Sequence, residues 1–130
     1  MAISSYCVFE YLYRDSGNFK AYGELLMEGL LSDAAVVKLR SRFESGEYFI
    51  AEQLGMPTLY EQLWTECESG PSADMDHVYH EFVRVRSATE EDLATLKPWG
   101  PAATLIATVE KVEVWNHQLS RNWSLGDWGN

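Results

Sequence analysis

The stretch that decides the fold is residues 6–27, which read YCVFEYLYRDSGNFKAYGELLM. Two runs rich in aromatic and aliphatic residues flank the segment 15–18, in which the turn formers Asp, Ser, Gly and Asn follow one another. This pattern predicts a β-hairpin, because Gly17 and Asn18 adopt positive φ at little cost. Large apolar side chains occupy odd and even positions of both runs, so we expect both faces of the hairpin to be covered at least in part.

Periodicity extends the prediction along the chain. Helical spacing indicates helices at 32–44, 58–67 and about 88–97, and β-rich runs indicate strands at 47–51 and 78–86. Residues 101–121 carry a helical stripe but also many Thr, Val and Ile residues, which suit a strand. Because this run is long and has no turn signal, we predict a helix there.

These elements together predict an α+β fold. In this arrangement a small, mostly antiparallel sheet is led by the N-terminal hairpin and is covered by three to four helices. We expect one domain over residues 1–130, with an irregular tail at about 122–130.

Composition and charge restrict the classes of function. The formal charge of −10 argues against direct nucleic-acid binding and against attraction to anionic membranes. Two lone cysteines, Cys7 and Cys67, indicate reduced thiols rather than a disulfide framework. A signal peptide and a bilayer-spanning run are both lacking, so we expect a cytoplasmic location. No phosphate loop or dinucleotide motif occurs, and we therefore expect no cofactor.

The distribution of charge supplies the first functional hypothesis. Between Arg42 and Arg84 the chain has many Asp and Glu residues but no Lys or Arg. Such a run is either a solvated face or a negative surface that meets a basic protein. The second interpretation predicts a non-enzymatic binding module that masks a basic surface on its partner, as an immunity protein, a phage-type inhibitor or an accessory subunit does. Its predicted contact residues are the acids Glu66, Glu68, Asp74 and Asp76, with Trp99 and Trp128 as aromatic anchors.

Residues 77–81, which read HVYHE, supply an alternative. His77, His80 and Glu81 are of the types that bind divalent metals, and they suggest a small metal-binding protein or metal-dependent hydrolase. In a strand, however, His77 and His80 point to opposite faces, and the order differs from the H-E-x-x-H pattern of zinc proteases. The simpler interpretation is that both histidines bond to nearby groups. A third hypothesis is a structural homodimer, joined through an edge strand or the Trp-rich tail.

Three motifs carry a resemblance to known sequences. They are YLYRDSGNFK at 11–20, YFIAEQLGMP at 48–57 and DHVYHEF at 76–82. Together they resemble a family of small, uncharacterised bacterial domains over roughly residues 6–86. The resemblance implies a bacterial or phage context, and it brings neither an activity nor catalytic residues.

Overall fold

The N-terminal hairpin organises the sheet. The computed structural model describes residues 5–125, in which β1 (Tyr6–Arg14) and β2 (Lys20–Glu28) pair antiparallel along their whole lengths. The turn is held locally, because Asp15 Oδ1 accepts hydrogen bonds from the backbone N–H groups of Gly17 and Phe19 at 2.9 and 3.0 Å. Asn18 has a φ of 70°, which asparagine tolerates well. The predicted hairpin is therefore confirmed.

Within residues 5–125 the chain forms five strands and five α-helices. The remaining strands are β3 (Tyr48–Phe49), β4 (His80–Ser87) and β5 (Pro98–Pro101), and the sheet order is β3-β4-β1-β2-β5. Only the β2–β5 pair among these strands is parallel. The helices are α1 (Asp33–Arg40), α2 (Ala51–Leu54), α3 (Tyr60–Glu66), α4 (Glu90–Thr95) and α5 (Ala102–Glu110), and two 3-10 turns follow at His117–Leu119 and Arg121–Leu125. The α+β class with a mostly antiparallel sheet is thus confirmed.

Helices cover the two faces of the sheet unequally. On one face, Phe9, Tyr11 and Tyr13 of β1 are buried in a core to which α1, α2, α3 and α5 contribute. On the other face, α4 covers a smaller cluster built on Val8 and Leu26. This arrangement explains why apolar residues occupy both odd and even positions of β1, and it leaves the hairpin turn uncovered on that second face.

The predicted helix at 101–121 is wrong in its second half. Helix α5 ends at Glu110, residues 111–116 are irregular, and a 3-10 turn follows at His117–Leu119. Side chains from elsewhere bind the irregular backbone: Gln53 donates to the carbonyl of Val114 at 3.1 Å and accepts from the N–H of Asn116 at 2.8 Å. Trp115 Nε1 donates to the carbonyl of Arg42 at 3.0 Å. Tertiary hydrogen bonds therefore replace those of a helix.

Other boundaries also differ from the predictions. The strand predicted at 47–51 ends at Phe49, and the chain turns directly into α2, which raises the helix count above the expected three to four. Residues 98–100, predicted to lie between two helices, form β5 beside β2 together with Pro101, the first residue of the predicted helix. A register shift opposite Glu10 and Tyr11 turns both Phe82 and Val85 toward the core, although strict alternation predicted opposite faces. In the predicted irregular tail, residues 121–125 form a 3-10 turn and residues 126–130 lie outside the described range.

Candidate functional site

An open groove of about 620 Å³ lies between the hairpin turn, the C-terminal end of α3 and the loop 69–76. Its lining is unusual in combining apolar side chains with carboxylates. Within the described part of the chain, no Lys, Arg or His residue lines it. We call it the tip groove, and it is defined by the apolar side chains Phe19, Leu63, Trp64 and Met75 and the carboxylates Asp15, Glu66 and Asp76.

The walls of the tip groove are held by backbone hydrogen bonds. The N–H of Ser16, in the hairpin turn, donates to the carbonyl of Met75 at 2.8 Å and so joins the turn to the loop 69–76. Helix α3 ends in a Schellman motif, in which the N–H groups of Glu68 and Ser69 donate to carbonyls one turn earlier in the helix at 3.2 and 2.9 Å. Because both ends of the loop are fixed, the groove has a defined shape.

Asp76 forms the base of the groove. Its side chain is only 4% exposed. Oδ1 accepts a hydrogen bond from the hydroxyl of Tyr13 at 2.5 Å, and Oδ2 accepts from Trp64 Nε1 at 3.0 Å and from the N–H of Ser72 at 2.9 Å. Burial, and then the bond to Asp76, raise the pKa of Tyr13, so that its hydroxyl remains a neutral donor. Asp76 therefore ties β1, α3 and the loop together.

The structure places the four predicted contact acids in two different environments. Glu66, Glu68 and Asp74 are exposed and lie on the end of α3 and on the adjoining loop, as an acidic docking surface requires. Asp76, predicted as a fourth contact acid, is instead buried beneath them, because neutral donors from three parts of the chain surround it.

The two predicted aromatic anchors do not lie among the described residues that line the tip groove. Trp99 lies in β5, where it packs against the core and donates from Nε1 to the carbonyl of Gly55 at 3.2 Å, and it does not line the tip groove. Trp128 lies outside the described residues. The aromatic residues that do line the groove are Phe19 and Trp64. Neither was predicted as a contact residue, because periodicity predicts strand and helix faces and gives no signal for the mouth of a groove.

The acidic run between Arg42 and Arg84 is divided by ion pairing. Glu81 pairs with Arg14 at 2.9 Å, and Glu61 pairs with Arg121. Among the described residues, no salt bridge reaches the exposed acids of the run, which are Glu44, Glu47, Glu66, Glu68 and Asp74. Glu44 and Glu47 lie beside β3, whereas the other three surround the tip groove. The exposed acids of the run that lack an ion pair therefore lie in two places, beside β3 and at the end of α3 with its adjoining loop.

The metal candidates are engaged in other contacts. His77 Nδ1 accepts from the N–H of Tyr79 at 3.1 Å, so its Nε2 carries the proton and donates to the carbonyl of Arg14 at 2.6 Å. His80 is fully buried and accepts from the N–H of Leu59 at 3.0 Å. Glu81 is held by Arg14. Within residues 5–125 no group of three or more His, Cys, Asp and Glu residues is placed to hold a metal, so the hydrolase hypothesis has no ligand set there.

The two cysteines lie in different environments and both are free. Cys7 is buried in the core, and burial raises the pKa of its thiol. Cys67 is exposed and lines the tip groove next to Glu66. The buried environment of Cys7 does not stabilise a thiolate.

No protein-family model matches the chain, and no curated protein or solved structure is detectably similar to it. None of the helices within residues 5–125 has the length and apolar character needed to cross a bilayer. The resemblance to small bacterial domains stays a prediction.

Proposed function

We propose that this protein is a non-enzymatic acidic module that binds a basic surface of a partner protein and masks it, with the tip groove as the point of contact. One observation carries the proposal. Apolar side chains and carboxylates line the same groove, and within the described residues no basic side chain lines it. A cationic segment that also presents an apolar side chain fits such a groove in both charge and hydrophobicity.

The surroundings of the groove favour the same partner. Glu68 and Asp74 are exposed beside it and have no ion pair among the described residues, and the chain as a whole carries a formal charge of −10. A negative field of this kind attracts basic partners and accelerates their encounter. It also repels nucleic acid, so that a nucleic-acid-binding protein is a suitable target for masking.

The remaining structure supports a binding role rather than a catalytic one. Within the described residues, no Cys or Ser side chain that lines the groove donates a hydrogen bond to a base, as an activated nucleophile would. We therefore assign the protein to the class that includes immunity proteins, phage-type inhibitors and accessory subunits. The free thiols Cys7 and Cys67 suit the cytoplasm, where they stay reduced.

Selection of random short peptides on the immobilised protein tests this proposal. We expect the selected peptides to be rich in Lys and Arg next to an apolar residue. Their binding should weaken by at least about tenfold between about 0.1 M and about 1 M salt, because the Debye length shortens from about 10 Å to about 3 Å.

Two matched double variants locate the contact. The double variant Glu66→Gln with Glu68→Gln removes two charges beside the groove. It should lower the affinity for the selected peptides by about fivefold or more. Glu28→Gln with Glu113→Gln removes the same charge from exposed positions that do not line the groove and should change affinity by less than about twofold. Selection of neutral or acidic peptides, or equal losses in the two double variants, would contradict the proposal.

A further inference from the structure

We infer that the base of the tip groove receives a single cationic side chain of the partner, a lysine or arginine, whose charged end is held at Asp76 and whose alkyl stem lies against the apolar walls. This inference rests on the proposed function and names the chemical group that the groove recognises. It makes Asp76 an anchor for the ligand in addition to its structural role.

The charge of Asp76 is not compensated by the protein. The carboxylate is 4% exposed, and its three bonding partners are a phenol, an indole and a backbone N–H, all of them neutral. No salt bridge within residues 5–125 includes Asp76. A buried carboxylate is strongly disfavoured unless it is paired or fully hydrogen-bonded. A cation that binds in the groove therefore stabilises the carboxylate of Asp76.

Asp76 retains capacity for one more hydrogen bond. A carboxylate accepts about four, and the described residues donate three to Asp76. Two of them reach Oδ2 and one reaches Oδ1, so the available acceptor position is on Oδ1. An ammonium or guanidinium donor at that position forms a charge-assisted hydrogen bond, which is stronger than a neutral one.

Among the basic residues around the groove, Arg14 and Arg121 are committed to other partners, and Lys20, which follows Phe19, does not line the groove. Arg14 donates to Glu81 and to the side chain of Asn18. Arg121 is paired with Glu61, and its guanidinium lies 5.9 Å from the centroid of the Trp64 ring. Both ring nitrogens of His77 are engaged, with the carbonyl of Arg14 and with the N–H of Tyr79. Because no basic side chain within residues 5–125 lines the groove, the cation that we infer at Asp76 is supplied by a ligand.

The walls of the groove suit the alkyl stem of such a side chain. Phe19 is 56% exposed although it is a large apolar residue, and Met75 and Trp64 are half-buried. Methylene groups are buried favourably against these side chains. A cation within reach of the Phe19 ring also gains a cation–π contact. Glu66 at the mouth adds a second carboxylate.

A fragment titration tests the inference without knowledge of the partner. The probes are n-butylguanidinium and its neutral near-isostere n-butylurea, and the reporter is the indole N–H resonance of Trp64, which donates to Asp76. We expect n-butylguanidinium to shift this resonance saturably, with a dissociation constant on the order of 1–10 mM for so small a ligand. Butylurea should bind at least about tenfold more weakly.

Variants separate recognition at Asp76 from general electrostatics. Asp76→Asn removes the charge and keeps an oxygen that can accept from Trp64, and it should abolish the response to n-butylguanidinium. Because this substitution alters a buried network, Glu66→Lys is a second variant that places a cation of the protein at the exposed mouth of the groove. It should also abolish the response, whereas Glu28→Lys makes the same change of charge away from the groove and should leave the response intact.

The two proposals fail in different ways. Equal shifts with n-butylguanidinium and n-butylurea, or an unchanged titration in Glu66→Lys, would overturn the inference about Asp76 even if basic peptides bind in a salt-dependent manner. A specific response to n-butylguanidinium without any salt-dependent peptide binding would leave the inference standing and would count against the proposed function.

Discussion

Glu68 occupies the position after the end of α3 that helices with a Schellman motif usually give to glycine. Its φ is 52°, in the left-handed region, where a side chain costs about 1–2 kcal/mol. The residue nevertheless presents an exposed carboxylate beside the tip groove. Strained residues are often found at functional sites. We therefore infer that the carboxylate of Glu68 serves binding, although the residue lowers the stability of the fold.

Replacement of Glu68 tests that interpretation. We expect Glu68→Gly to increase the free energy of unfolding by about 0.5–1 kcal/mol, because relief of strain outweighs the added flexibility of the unfolded chain. The same substitution removes a charge beside the tip groove and should lower the affinity for basic peptides. Ser45, exposed with a φ of 54° beside β3, is the matched position. Ser45→Gly should stabilise similarly without affecting peptide binding. Urea unfolding and peptide titration measure both effects; a destabilised Glu68→Gly variant would contradict the strain argument.

At the scale of elements, one arginine attaches α4 to the less covered face of the sheet. Arg86 of β4 donates to Glu10 of β1 at 2.6 Å, to Glu24 of β2 at 2.9 Å and to both oxygens of Asp92 in α4 at 2.6 and 3.1 Å. Asp92 also completes a capping box with Thr89. The bonds from Arg86, together with the N–H of Thr89, hold the pKa of Asp92 well below its usual range.

The network around Arg86 gives a prediction about stability alone. Arg86→Gln should lower the free energy of unfolding by about 2 kcal/mol, because it leaves three carboxylates without their shared cation in a partly buried site. The control is Arg84→Gln, since the Arg84 side chain is 64% exposed and its pair with Glu10 is the one it makes among the described residues; its loss should be below about 1 kcal/mol. Chemical denaturation measures the free energy of unfolding of both variants. Equal losses would show that the network around Arg86 stabilises the protein no more than one surface ion pair does.

At the scale of the whole molecule, the core contains a histidine that must stay neutral. His80 is fully buried among the rings of Tyr11, Tyr13, Phe49 and Tyr60. Burial, with a smaller effect of His77, lowers its pKa from 6.5 to about 3. The unfolded chain therefore takes up this proton first as the pH falls, and folding becomes less favourable.

The stability of the protein should accordingly depend on pH in a defined window. The contribution of neutral His80 is complete above about pH 6.5 and is lost progressively below it, by roughly 1.4 kcal/mol per pH unit. His80→Gln keeps an acceptor for the N–H of Leu59 and removes the titration. Urea unfolding between about pH 7 and about pH 5, above the range of ordinary carboxylates, should show a steeper loss for the wild-type protein than for this variant. Parallel curves would mean that His80 is not the group responsible.

Local chemistry made much of the fold predictable. Asp15, Gly17 and Asn18 specify the hairpin turn within a few residues, and Thr89, which directly precedes three acidic residues, caps α4. Where a local signal competed with distant contacts, prediction failed. Helix α5 ends at Glu110, and the backbone after it is bound by the side chains of Arg42, at the carbonyl of Val112, and of Gln53. Nothing in residues 101–121 predicts those partners.

The sequence by itself determined the hairpin, the α+β class and the excess of acidic residues, because turn preferences, periodicity and charge are properties of neighbouring residues. Only the tertiary structure decided which acids remain exposed, since Glu81 and Glu61 are neutralised by arginines 67 and 60 positions away. It also placed Asp76 beneath the groove, bonded to Tyr13 across 63 positions of the chain. Burial and pairing depend on residues that meet only when the chain folds.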